Sequence, residues 1–173
     1  MKLRSLLLTM SLSSLLFGAA RAELKVGDAA PAVTAVTETG AKLSLADVYK
    51  QQPYTLVYFY PKADTPGCTA QGCSLRDGYE QLTKQGVAVI GVSHDTAADQ
   101  KAFKDKHHFP FTLIADMDSA VREAFGVPTY PMTSAAKRQA YLIKGGKIIY
   151  TDYKGTTSKQ AAAILEVLAA QKS

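Results

Sequence analysis

Between residues 55 and 60 the chain reads Thr-Leu-Val-Tyr-Phe-Tyr, an uncharged β-branched and aromatic run that predicts a buried strand. Downstream, Leu75, Tyr79 and Leu82 recur at helical spacing, and Cys68, seven residues before Leu75, shares their inward stripe. Thr65 is expected as the N-cap with Pro66 at the first helical position, so Cys68 falls third, and the helix should end near Gly86. Cys73 is expected on the opposite stripe with Asp77, Glu80 and Lys84, facing water. Short extended segments at 32–36 and 42–45 flank the turn residues Glu38-Thr39-Gly40, and 87–92 and 112–115 read as two further strands. Thr96, with Asp99 three residues on, caps a predicted helix to about Lys106, and 119–125 forms a short helix stopped by Gly126. Residues 139–143 and 147–151 read as a hairpin around Gly145-Gly146, and Ser158 caps a last helix with Ala161, Ile164, Leu165 and Leu168 on one side. Strands alternating with helices, then a hairpin and a closing helix, predict a three-layer α/β domain with a mixed sheet. Sites in such sheets lie at the carboxyl ends of parallel strands, and the cysteine loop begins where the 55–60 strand ends.

The first 22 residues predict a cleaved leader rather than part of the fold. Lys2 and Arg4 open it, residues 6–17 are apolar apart from small polar interruptions, and Ala20-Arg21-Ala22 makes a cleavage site before Glu23. The apolar stretch is too short to span a bilayer. No cysteine follows the cleavage site and no twin arginine is present. Residues 23–173 are thus expected as one domain, periplasmic or secreted and free of the membrane once cleaved. The net charge of +5 falls to +2 when Lys2, Arg4 and Arg21 leave, and there is no lysine–arginine run of the kind that binds nucleic acid. In an exported compartment disulfides persist.

Cys68 and Cys73 are the only cysteines. Positions five apart in an ideal helix have Cα atoms about 8–9 Å apart, from a rise of about 1.5 Å and a turn of about 100° per residue. A disulfide tolerates only about 4.4–6.8 Å. Either the segment is not helical, or bonding the two requires it to unwind. A structural staple is disfavoured, because so short a loop removes little unfolded-state entropy. A free thiol is only about 3% ionised at pH 7. A helix N-terminus offers roughly 0.3–2 kcal/mol toward the thiolate, which leaves a share for a nearby cation.

The run Tyr58-Phe59-Tyr60-Pro61-Lys62-Ala63-Asp64-Thr65-Pro66-Gly67-Cys68-Thr69, followed by Cys73 and Leu75-Arg76-Asp77, resembles peroxiredoxins of the bacterioferritin-comigratory (Q-type) subfamily. Phe109-Pro110-Phe111 and Phe125-Gly126-Val127 extend the likeness over about residues 26–170. The resemblance implies a thioredoxin-like fold and a thiol peroxidase for hydrogen peroxide and small organic hydroperoxides, with no cofactor and no metal. It implies Cys68 as peroxidatic and Cys73 as resolving cysteine, joined as an intramolecular disulfide. Thr65, Pro61 and Arg138 complete the implied site, with Lys137 one register step from Arg138. A thioredoxin-like or other dithiol reductant is the implied partner, and a monomer is expected. An exported thiol–disulfide oxidoreductase or a redox sensor is the alternative, and the absence of C-x-x-C weighs against the first. Ser93-His94-Asp95 reads as a strand-end loop, since adjacent residues cannot converge as a triad. His107 and His108 read as solvated residues at a helix end, and Arg76-Asp77 as a local ion pair.

Overall fold

The computed structural model describes residues 22–171, so the expected leader lies outside the described residues except for Ala22. The chain runs β1 (Thr34–Val36), β2 (Lys42–Ser44), α1 (Leu45–Gln51), β3 (Tyr54–Phe59), α2 (Pro66–Asp77), α3 (Tyr79–Lys84) and β4 (Val87–Ser93). It continues through α4 (Ala97–His107), β5 (Thr112–Ala115), α5 (Ala120–Ala124), β6 (Gln139–Lys144), β7 (Lys147–Asp152) and α6 (Gln160–Ala170). A five-stranded sheet has the order β5-β4-β3-β6-β7, with β3, β4 and β5 parallel and β6 and β7 antiparallel to their neighbours. The mixed α/β architecture read from the sequence is therefore the one adopted.

Strand periodicity divides the core in two. Leu56, Tyr58 and Tyr60, with Ala140 and Leu142, face the layer of α2, α3, α4 and α6. Val57 and Phe59, with Tyr141 and Ile143, face the side that holds Leu45, Val121 and Phe125. The central strand is buried on both faces, as parallel strands generally are. Both sheet edges are closed by the N-terminal segment. Gly27 N–H donates to Ile148 O beside β7, at 2.8 Å. At the β5 edge Glu38 N–H donates to Leu113 O at 2.8 Å, and Leu113 N–H donates to the Glu38 carboxylate at 3.0 Å. The Glu38 side chain is buried and paired with Lys104 of α4.

Several local expectations need correction. Helix α1 was not anticipated from the sequence, although Ser44 accepts from Asp47 N–H as its cap and Leu45 and Tyr49 form its buried face. The cysteine helix does not run unbroken to Gly86 but stops at Gly78, where α3 takes over. A Cβ on Gly78 would lie 2.6 Å from the Ala161 Cβ, so α6 packs directly on the backbone there. Ser158 does not cap the last helix: α6 begins after Lys159, as the Thr157–Gln160 turn carries Gln160 into the interior. His107 is not solvated but wedged between Phe103 and Phe109, while His108 takes the exposed left-handed C-cap.

Tyr58 and Gly91 are register partners across β3 and β4, and the ring of Tyr58 lies over Gly91. A Cβ at Gly91 would meet Tyr58 Cζ and Leu113 Cδ2, both at 2.7 Å. Gly91→Ala is therefore expected to destabilise by about 1–3 kcal/mol through overpacking. Thermal unfolding should fall by roughly 2–4 °C per kcal/mol. An unchanged midpoint would mean that the Tyr58 ring shifts without cost.

Candidate active site

The loop that leaves β3 is pinned before it reaches α2. Tyr60 OH donates to Gln100 Oε1, Gln100 Nε2 donates to Ser93 Oγ at 2.8 Å, and Ser93 Oγ donates to Asp95 Oδ2 at 2.6 Å. Asp95 Oδ2 also accepts from Ala63 N–H at 2.8 Å, so the loop is tied to the end of β4. This is the work of the Ser93-His94-Asp95 triplet, whose His94 ring turns away to Asp116 O. On the outer side Asp64, at a φ of +58°, pairs with His107 and Lys106 of α4. Hydrogen bonds from His107 first and then Lys106 hold the Asp64 carboxyl below its ordinary range. The support from that clasp is thus present above the usual carboxylate range and fades as pH falls through the lowered value.

Thr65 is the N-cap residue of α2 and Pro66 follows at the first helical position, but the Thr65 hydroxyl makes no capping bond. It donates instead to Lys62 O at 3.0 Å. The amides of the first helical turn have no intrahelical acceptor by geometry, and Thr65 leaves Gly67 and Cys68 N–H without a side-chain cap. Cys68 sits third in the helix, fully buried among Tyr58, Tyr60 and Leu75. Arg138, just before β6, reaches it: Nη2 lies 3.3 Å from Cys68 Sγ. The same guanidinium donates from Nη1 to Gln71 Oε1 at 2.5 Å. A Cβ on Gly67 would stand 3.1 Å from Arg138 Nη2, so the glycine permits the close approach. Beneath the arginine stem Gly155, at a φ of +78°, lies in a turn whose amides at 154, 155 and 156 bond the Asp152 carboxylate. Lys137, the neighbouring alternative, is exposed.

Of the residues singled out by sequence, the structure brings Cys68 and Arg138 into contact. Thr65 opens the same helix, and Pro61 is half-buried at the start of the loop, lining a groove with His94 and Asp95. Cys73 lies one and a half turns beyond Cys68 in an intact α2, and both thiols are free. The expected water-facing position of Cys73 is corrected, since it is half-buried against the same core cluster. The ring of Phe109 presses on Gly72 beside it, where any Cβ would collide. Arg76 pairs with Asp77 as expected and also donates to His107 O at 2.9 Å, which fastens α2 to the end of α4. Sequence reasoning missed Gln71 and Gln160. Gln71, three residues after Cys68 in an otherwise apolar stripe, carried the signal: a polar side chain at an inward position needs a polar partner.

A buried thiol at an uncapped helix N-terminus, with a guanidinium on its sulfur, is placed to react as a nucleophile, and it sits on a thioredoxin-like fold. The AhpC/TSA family model matches residues 26–151, and the chain belongs to that family. Its likeness within the family is to the Q-type, bacterioferritin-comigratory branch. It is 44% identical over 125 residues to the chloroplastic peroxiredoxin Q of Oryza sativa subsp. japonica, covering 72% of this chain and 57% of that protein. It is 45% identical over 104 residues to a Coxiella burnetii protein named as a peroxiredoxin, bcp, covering 60% of this chain and 68% of that one. The chain thus spans little more than half the length of the rice relative. The crystal structure of peroxidoxin BcpB from Mycobacterium tuberculosis superposes with a TM-score of 0.81 at 25% identity, over 87% of this chain and 100% of that one.

Arg138→Ala removes the one cation in contact with Cys68 Sγ among the described residues. The rate at which peroxide oxidises Cys68 should fall roughly a hundredfold, the scale seen when one preorganised donor is deleted. Lys137→Ala should leave it unchanged. Stopped-flow oxidation of the two variants is the check, and equal rates would move the cation's role away from Arg138.

Proposed function

We propose that the chain is a thiol-dependent peroxidase for hydrogen peroxide and small organic hydroperoxides. The observation that carries this reading is the Arg138 guanidinium on a buried Cys68 Sγ, at the end of a helix whose first amides lack a side-chain cap. The Cys68 thiolate attacks one peroxide oxygen, the O–O bond breaks, and the departing oxygen takes a proton to leave as water or alcohol. Cys68 becomes a sulfenic acid. Charge building on the two oxygens meets Arg138 and the amides of Gly67 and Cys68, a donor set of the oxyanion-hole kind that the Thr65 hydroxyl joins by turning from Lys62 O. Pro61 shields the sulfur from water.

Cys73 then attacks the Cys68 sulfur, a disulfide forms and water leaves. A thioredoxin-like or other dithiol reductant restores both thiols by exchange. With α2 intact, positions five apart are about 8–9 Å between Cα atoms, beyond the roughly 7 Å limit of a disulfide. Residues 65–76 must therefore unwind for resolution. This releases Cys68 from the helix end and brings the disulfide to the surface. The protein works as an exported monomer in the periplasm or outside the cell. In support, Ala22 is exposed while Leu24 is already buried, so the expected cleavage junction lies just outside the core.

Peroxide consumption by the chain with thioredoxin and other dithiols tests the reading. Cys68→Ser should abolish it. Cys73→Ser should react once, giving a trappable sulfenic acid, and then turn over poorly. Two equally active mutants would rule out this division of labour.

The unwinding has its own readout. Amide exchange across residues 65–76 should be slow in the reduced protein and fast in the disulfide form, and equal protection in both would remove the conformational step.

A further inference from the structure

The hydrogen-bond path that leaves Cys68 does not end at Arg138. Gln71 accepts from Arg138 Nη1 through its amide oxygen and donates from Nε2 to Gln160 Oε1 at 2.9 Å. Both glutamines are fully buried, and Gln160 is the first residue of α6. The order of the groups is forced. A guanidinium only donates, so Gln71 must face it with oxygen; its NH2 then faces Gln160, which must answer with oxygen. Gln160 Nε2 is left with no hydrogen-bond partner among the described residues. Burying that unpaired donor costs stability, whereas a methionine of similar size would remove it only by leaving the buried Gln71 Nε2 unpaired instead. The useful end of Gln160 is thus its acceptor, aimed at Gln71.

The same helix end holds α2 at two further points. Ser74 Oγ accepts from Ala161 N–H at 3.2 Å, and Ala161 packs against Gly78. The N-terminus of α6 is therefore a fixed platform against which the Gln71 amide is oriented. Without it, the Gln71 side chain could rotate and take the guanidinium off the sulfur.

We infer that Gln160 is a positioning residue for the reactivity of Cys68, acting through Gln71 on Arg138. It touches neither the sulfur nor a peroxide oxygen. Its contribution is the orientation of one amide, which sets the fork of the guanidinium between Gln71 and Cys68. This deepens the peroxidase reading, and its first readout does not depend on that reading.

The test is made in the Cys73→Ser background, with two rates: alkylation of Cys68 by iodoacetamide, and its oxidation by hydrogen peroxide. Gln160→Met should slow both about tenfold, the scale of one hydrogen bond to a charged group's partner, while Gln160→Glu, which keeps the acceptor, should stay within about twofold. In a Gln71→Met background, adding Gln160→Met should cost nothing further, because the intermediary is already gone. A loss of packing alone would slow the reaction in both backgrounds and would not be rescued by Glu. Unchanged rates for Gln160→Met, or the same loss with and without Gln71, overturns the inference. Should Gln160→Met alone fail to fold, the comparison of Gln71→Met with the double variant decides, since the double variant leaves no orphaned donor at that pair. If the parent alkylates but does not react with peroxide, the peroxidase reading falls and the alkylation rates still judge Gln160.

Discussion

A single guanidinium bonds two side chains of one helix. Arg138 Nη2 meets Cys68 Sγ, and Nη1 meets Gln71 Oε1, one turn further along α2. That fork is geometrically possible only while residues 68–71 are helical, because only helical spacing stacks i and i+3 on one face. The cation beside the sulfur and the conformation of the helix are therefore one constraint. Most of the surrounding structure serves it from two directions. The chain from Tyr60 through Gln100, Ser93 and Asp95 to Ala63 fixes where the helix begins. The contacts of Gln71, Ser74 and Gly78 with the start of α6 fix how it lies.

The constraint also explains the odd features of the loop. A threonine that caps its own helix would satisfy the first-turn amides and compete with any ligand for them. Here the hydroxyl turns back to Lys62 O, and Asp64 adopts a left-handed backbone held by His107 and Lys106. Left-handed backbone outside glycine is tolerable for an aspartate but still costs energy, and local ion pairs from a neighbouring helix offset it. Glycine appears where the guanidinium needs room, at Gly67 above its head and Gly155 beneath its stem.

Much of this was legible in the sequence. The strand–loop–helix around Cys68, the parallel strands, and the closing hairpin and helix follow from period and capping. The Cys68–Arg138 contact was accessible only through the family likeness, because nothing local at residue 138 announces a partner seventy positions away. Helix α1 has a local signal of its own: Ser44 with Asp47, and Leu45, Val48 and Tyr49, satisfy cap and period alike. Cys73 departs from its helical-wheel position because the polar stripe of α2 does not face solvent throughout. In fact Phe109, arriving from beyond α4, folds over Gly72 and covers that side. Tertiary cover of this kind comes from a distant segment and leaves no trace in the helix's own pattern. The break at Gly78 has the same origin, since it reflects the approach of Ala161.

Both margins of the sheet are sealed by the first stretch of the described chain: residues 27–30 bond alongside β7, and residues 37–38 alongside β5. Unsealed strand margins are templates for pairing with other chains. The seals join positions far apart in sequence, such as Gly27 with Ile148 and Glu38 with Leu113, so each requires closing a long loop. Such contacts form slowly relative to local ones. Until that stretch docks, the five-stranded sheet presents two unpaired margins. Cover against edge-to-edge pairing thus comes from a short N-terminal stretch, far from Cys68 and Cys73.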